Sequence, residues 1–267
     1  MKHANYRMLM AFGALGLVAC QSQAPATSAT TPRSAQWSPA VRAPIPGLSI
    51  DVGLSSVALE VRQRRALETI HAQLDAATEP VRRTERQLMG SLADAAAANK
   101  VDVEALRAQV RAIMTVAAQS GQRVERALDE LHAMLTPEQR ALVRGRYSQR
   151  WASAPTTAEW APRLGNVLEP LGASREQIES ARARLQAARP APPLTEEDHA
   201  HHRVMMNAFH GDTFDAHALG VGDAYVRATL AAAEQTIAVV AAVVPDLTTE
   251  QRLRFAQMLR GMTTRSM

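Results

Sequence analysis

Aromatic side chains are scarce: three Trp, three Tyr and four Phe in 267 residues. Glycine is sparse as well, and Ala, Leu, Arg, Glu and Gln fill the chain, a composition that predicts helix throughout. With one cysteine, Cys20, no internal disulfide can form. The chain lacks a nucleophile elbow, a phosphate-binding glycine loop and a paired-cysteine metal site, so it reads as non-enzymatic. A large excess of one charge is lacking too. Thirty Lys and Arg face 26 Asp and Glu, and Lys2 and Arg7 lie in a segment expected to be removed. That leaves 28 against 26, so no nucleic-acid partner is implied. Nearly all the cations are Arg.

The start of the chain carries its own instructions. Lys2, His3 and Arg7 are followed by an apolar run, Met8 to Val18, too short to span a bilayer. This reads as a cleaved signal covering residues 1–19. Its last residues, Leu17-Val18-Ala19, with Cys20 resemble a bacterial lipobox, which implies a diacylglycerol thioether on Cys20. Gln21 rather than Asp follows, which implies sorting to the inner leaflet of the outer membrane. Residues 20–49 are rich in Ser, Thr, Ala and Pro without an apolar period, and read as a flexible tether.

Beyond the tether the periodicity is helical. Val57, Val61, Leu67, Ile70 and Leu74 mark one helix, and a break at Thr78-Glu79-Pro80 starts a second. The clearest pattern is Val103, Leu106, Val110, Ile113, Ala117, Ser120, Val124, Leu128, Leu131 and Leu135. Its steps of three and four predict a long helix, about 50 Å from Asp102 to Met134. Residues 153–166 read as a linker. After it, Ser174 opens a helix through Ala188, Thr195 caps a short one, and Asp215 opens a second long one with Leu219, Val226, Leu230, Ala233, Ile237, Val240 and Val244 in its seam.

One stretch occurs twice, as Leu135-Thr136-Pro137-Glu138-Gln139 and as Leu247-Thr248-Thr249-Glu250-Gln251. The physics is a helix start. Thr is the N-cap, and Gln three residues on reaches back to the cap N–H to close a capping box. Pro137 suits the first helical position, and the two Glu residues suit the positive end of the helix dipole. Break, Asp cap, seam and Thr box recur in the same order in both halves. This predicts two tandem four-helix units, residues 50–152 and 167–264.

These motifs, Leu135, Thr136 and Gln139 with Leu247, Thr248 and Gln251, resemble the LTxxQ motifs of the Spy/CpxP group of bacterial periplasmic proteins. Leu171 to Gln177 looks like a degenerate first motif of the second unit, and no first motif is recognisable near Leu54 to Gln63. The resemblance implies an all-α fold of long amphipathic helices and a cradle-shaped antiparallel pair, here a covalent pseudo-dimer. The chain is then either a monomer or a homodimer. It further implies an ATP-independent chaperone or envelope-stress protein whose partners are unfolded or misfolded envelope proteins. Arg62, Arg65, Arg82, Arg83 and Arg86 are the candidates for attracting such clients.

A second function rests on a histidine cluster. His199, His202 and His210, with acidic and Met neighbours, suit zinc, copper or nickel. Metal-binding relatives exist in the same group, and the alternative reading is a periplasmic metal sensor or buffer. No cofactor is required by the chaperone reading.

Overall fold

The structure, a computed structural model, describes Leu54 and residues 57–152, 160–190 and 195–264, all within one compact unit, Ala35–Met267. Cys20, the signal and the tether lie outside the described residues. Among the described residues there are eight helices and no strand, as the composition predicts. They are α1 (Val61–Ala97), α2 (Val103–Met134), α3 (Pro137–Ala152), α4 (Trp160–Leu168), α5 (Arg175–Ala188), α6 (Glu196–His210), α7 (Val221–Val243) and α8 (Thr249–Thr264). Short 3-10 turns follow α4 and α7.

Helix α2 is the seam helix that the spacing predicts. The Asp102 carboxylate accepts from the Ala105 N–H at 3.0 Å and starts it. Leu106, Val110, Ile113, Ala117, Ser120, Val124, Leu128 and Leu131 are all buried. Leu135, just past the helix, is buried too.

Three local expectations are corrected. First, Thr78-Glu79-Pro80 does not end a helix, because α1 runs through Pro80. Ala77, Thr78 and Val81 are buried and hold this stretch in register. The carbonyl of Asp75, one turn before the proline region, accepts from the Arg82 guanidinium at 2.9 Å. The bond lost at Pro80 is the one to the Ala76 carbonyl, and the Arg82 contact braces the turn beside it. The first half therefore has three helices rather than four. Second, the predicted linker ends early, since α4 covers Trp160–Leu168. Pro162 sits in the first turn of α4, where its lost donor is not needed. Third, Asp215 opens a single turn and not a long helix. Its carboxylate caps Ala218, and Gly220 then takes φ +66° before α7 begins. In the predicted seam Leu219, Val226 and Leu230 are half-buried, and Val221 and Tyr225 take the inner positions.

Helix α2 packs between α1 and α7. The contacts with α7 run antiparallel: Arg107 meets Glu234 at 3.3 Å, Gly121 lies against the Gly222 backbone, and Asp129 accepts from the Ala216 N–H. Helix α1 packs on α8, and α6 packs on α3. The apolar core forms two clusters. One gathers Leu88 and Leu92 of α1, Ile113 of α2, Ile237 and Val240 of α7, and Phe255 and Leu259 of α8. The other gathers Ile70 and Leu74, Leu128 and Leu131, Val143 of α3, and Met205 and Phe209 of α6. Each cluster draws on both halves, so the halves are separate in sequence and shared in packing. His132 is part of this join, stacked on Phe214 and edge-on to Phe209, with its Nε2 2.9 Å from the Gly211 carbonyl.

Candidate functional site

The capping motifs do more than start helices. The Gln139 Oε1 accepts from the Thr136 N–H at 3.0 Å, which closes the predicted box. The same amide pairs with Gln63 at the start of α1, in both directions, at 2.7 and 3.0 Å. Gln63 caps its own helix through the Glu60 N–H at 3.0 Å. The remaining donors reach across: Gln63 to the Met134 carbonyl at 2.9 Å and Gln139 to the Ala58 carbonyl at 2.9 Å. Each amide thus uses both N–H groups and both lone pairs.

The second half repeats this clasp. Gln177 and Gln251 pair at 3.0 and 3.3 Å and cap Ser174 and Thr248 at 2.7 and 2.9 Å. They donate to the carbonyls of Asp246 and Gly172 at 2.6 and 2.7 Å. The Arg that follows each Thr motif also recurs. Arg140 and Arg252 both donate to the carbonyl of the motif leucine, Leu135 or Leu247. Leu135 and Leu247 are themselves buried.

The first motif of the first half is therefore Leu59-Glu60-Val61-Arg62-Gln63, which the sequence reading missed. Its spacing matches the other copies, but Glu replaces Thr at the cap. A glutamate is a poorer cap, so the usual start signal is weak. The glutamine at the third helical position was the signal that remained.

The clasp has a measurable value. Replacing Gln139 by Ala removes one cap and the cross-helix bonds, about 2–3 kcal/mol. For a body of this size that is a fall of about 5–10 °C in Tm. Gln139→Glu keeps the acceptor for Thr136 but has no donor for Ala58, and is expected to lose a large part of the same stability. If Gln139→Glu melts with the wild type, the clasp is only a cap.

The candidate cations divide. Arg62, Arg65 and Arg83 are exposed. Arg82 and Arg86 are engaged in α1 itself. Arg82 meets Asp75 at 3.3 Å and Glu79 at 3.2 Å, and Arg86 meets Glu79 at 2.6 Å. The bond from Arg86 is the main reason that the Glu79 carboxyl titrates below its ordinary value.

The histidines do not converge. His202 is buried, His199 is half-buried, and His210 ends α6 in solvent. Eight residues of helix separate His202 from His210, about 12 Å along the axis. His201 is 2.6 Å from the Leu219 carbonyl, and His217 is 3.1 Å from Glu125. Among the described residues no three His, Cys, Asp or Glu side chains are grouped so as to hold a metal ion.

What remains is a surface. The stretch Val221–Asp246 is long and apolar enough to cross a membrane by length and composition, yet half of its apolar window is buried inside the protein. Val226, Leu230 and Ala238 pack on the core and stay partly open to solvent, as does Val116 of α2. Arg111 is exposed alongside, and Arg107, also exposed, is paired with Glu104 at 2.9 Å and with Glu234 of α7 at 3.3 Å.

Such a chain is an all-helical protein closed by paired capping motifs, with a mixed apolar and charged face on its long helices. Residues 50–145 match the model of the LTXXQ motif family protein, so this stretch is similar to that family, the family of Spy/CpxP-like periplasmic proteins. Its members are periplasmic and generally non-enzymatic, chaperone-like proteins. The matched stretch contains both glutamines of the first clasp, and residues after 145 lie outside it. No curated protein and no solved structure matches the chain.

Proposed function

We propose that the protein is a lipid-anchored, ATP-independent periplasmic chaperone that holds unfolded envelope proteins on the face shared by α2 and α7. The family supports a chaperone or stress role. The observation that carries the finer reading is the half-open apolar side of α7. A helix of that hydropathy is ordinarily either fully packed or in lipid. Here Val226, Leu230 and Ala238 remain partly open, with Arg111 exposed on α2 and Arg107 held by Glu104 and Glu234. Exposed apolar atoms hold a client weakly, and nearby cations attract it at longer range.

The same proposal treats the chain as two fused units. Support comes from the repeated clasp, from the Asp102 and Asp215 caps, and from the reciprocal packing of α1 on α8 and α6 on α3. Two linked copies would reproduce within one chain what the resemblance implies for an antiparallel pair.

The full chain carrying Cys20→Ala is expected to suppress aggregation of a chemically unfolded client without ATP, at near-equal molar amounts. Leu230→Asp/Ala238→Asp is expected to weaken this severalfold while the Tm moves little, because both side chains are partly solvated. Turbidity unchanged at an excess of the wild-type chain sinks the proposal. Equal suppression by the variant moves client binding away from α7.

A further inference from the structure

The two clasps are built alike, but their surroundings differ in one respect. Position for position, Val61 at the start of α1 corresponds to Arg175 at the start of α5, and Leu142 of α3 corresponds to Arg254 of α8. Val61 is 57% exposed and Leu142 is 54% exposed. Among the described residues Val204 of α6 is 56% exposed, and Leu253, beside Arg254 at the other clasp, is 50% exposed, so the first clasp has two such side chains where the second has one. At the other clasp the same two places carry guanidinium groups, and Arg254 is further held by Glu250. Where the fold repeats and the surface does not, the difference is not required by packing.

Both open side chains stand close to the first clasp. Val61 is two residues from Gln63, Leu142 is three residues from Gln139, and those amides are hydrogen-bonded. Exposed Arg62, Arg64, Arg65 and Arg144 surround them, with exposed Glu60, Glu68 and Glu138 interspersed. The chain also departs towards its N-terminus from this end. Leu54 and Val57 are buried in the core cluster that the first clasp closes. Residue Cys20 lies 34 positions before Leu54.

We infer that the Gln63–Gln139 end is a shallow docking surface for an anionic lipid bilayer, with Val61 and Leu142 entering the interface and the arginines meeting headgroup phosphates. Small apolar insertions joined to several arginines suit an interfacial contact, neither part being enough alone. An acyl group on Cys20 supplies the first membrane signal, and this end supplies the second. The inference thus rests on the anchoring part of the proposed function, and leaves the client face on α2 and α7 open to the periplasm.

The test uses the processed chain, from residue 20 onward and carrying Cys20→Ala, so that neither the signal nor an acyl group contributes. It is expected to co-sediment with vesicles rich in phosphatidylglycerol and much less with vesicles of phosphatidylcholine alone. Val61→Gln/Leu142→Gln, which removes the two apolar groups without adding charge, is expected to lower the bound fraction by about tenfold. Cys20→Ala also removes the sole cysteine, so an environment-sensitive fluorophore can be placed at Leu142→Cys or at Arg254→Cys. The label is expected to shift to the blue on vesicles at 142 and to stay unchanged at 254. No sedimentation, equal sedimentation of the double variant, or equal shifts at both positions overturns the inference. The mass of the wild-type chain from membranes separates the other failure: an unacylated Cys20 ends the anchoring reading and leaves the vesicle result standing.

Discussion

Lowering the pH from 7 to 5 is expected to cost the folded protein about 2 kcal/mol through one side chain, His202. It is 3% exposed on α6, beside Met205 and Met206. Burial pulls its pKa down from 6.5 to about 3, and the positive charges of His199, His201 and Arg203 push the same way. The unfolded chain therefore binds a proton that the folded one refuses. Stability from this group is whole above pH 6.5 and falls by up to about 1.4 kcal/mol per unit between pH 6.5 and 3. Two other kinds of group act on different terms. The Glu125 carboxylate raises the pKa of exposed His217, which favours the folded state as the pH falls through that value. Arg184 holds Asp246 below its ordinary value through a two-pronged contact at 2.6 Å, and that stability fails only in the lower carboxylate range. The window from pH 6.5 to 4.5 thus belongs to His202, with His217 opposing. Urea midpoints at pH 7.5, 6.5, 5.5 and 4.5 are expected to fall steadily for the wild type. For His202→Leu the fall should shrink by about the same 2 kcal/mol at pH 5. Parallel curves for the two proteins refute this account.

The crossing of α2 and α7 carries the second large effect. A Cβ built on Gly121 lies 3.0 Å from the Gly222 Cα and carbonyl oxygen, which are backbone and cannot turn aside. Gly121→Leu must therefore part the two helices, at an expected loss of about 3 kcal/mol. Gly90 is the control. It lies inside α1 with nothing within 4 Å of an added Cβ. Gly90→Ala should gain up to about 1 kcal/mol, since alanine favours helix and meets no obstacle. Thermal melts that place Gly121→Leu near the wild type show that the crossing tolerates separation.

The sequence was legible where one physical rule decided the outcome. In α2 the three-and-four steps name the buried positions because a long straight helix between two others has one consistent inner side. The Thr boxes were legible because capping is local. Misreadings arose where a distant part intervened. Pro80 looks like a break, and burial of Ala77 and Val81 together with the Arg82 contact overrides it. Asp215 looks like Asp102, and Gly220 stops the helix that it starts. In the candidate site, Gln139 and Gln251 were singled out as caps, but their pairing with Gln63 and Gln177 joins residues over 70 positions apart. No local pattern states that partnership. Arg82 and Arg86 illustrate the converse, since charge alone suggests a surface for clients and geometry assigns them to Asp75 and Glu79.

The shared cores fix an order of events for the newly made chain. Arg260 of α8 reaches Asp94 of α1 beside the first cluster, a contact between residues 166 positions apart. Phe255 and Leu259 complete that cluster, and they belong to the last helix. A chain emerging from its N-terminus can wind α1 and α2 early and close most of the second cluster once α6 is present, yet the first cluster stays open until α8 has arrived. Contacts at this separation slow folding. For a chain exported as an extended thread, as the signal-like start of this sequence implies, that delay is a gain, because the same distance that postpones folding keeps the chain threadable until its final residues are through.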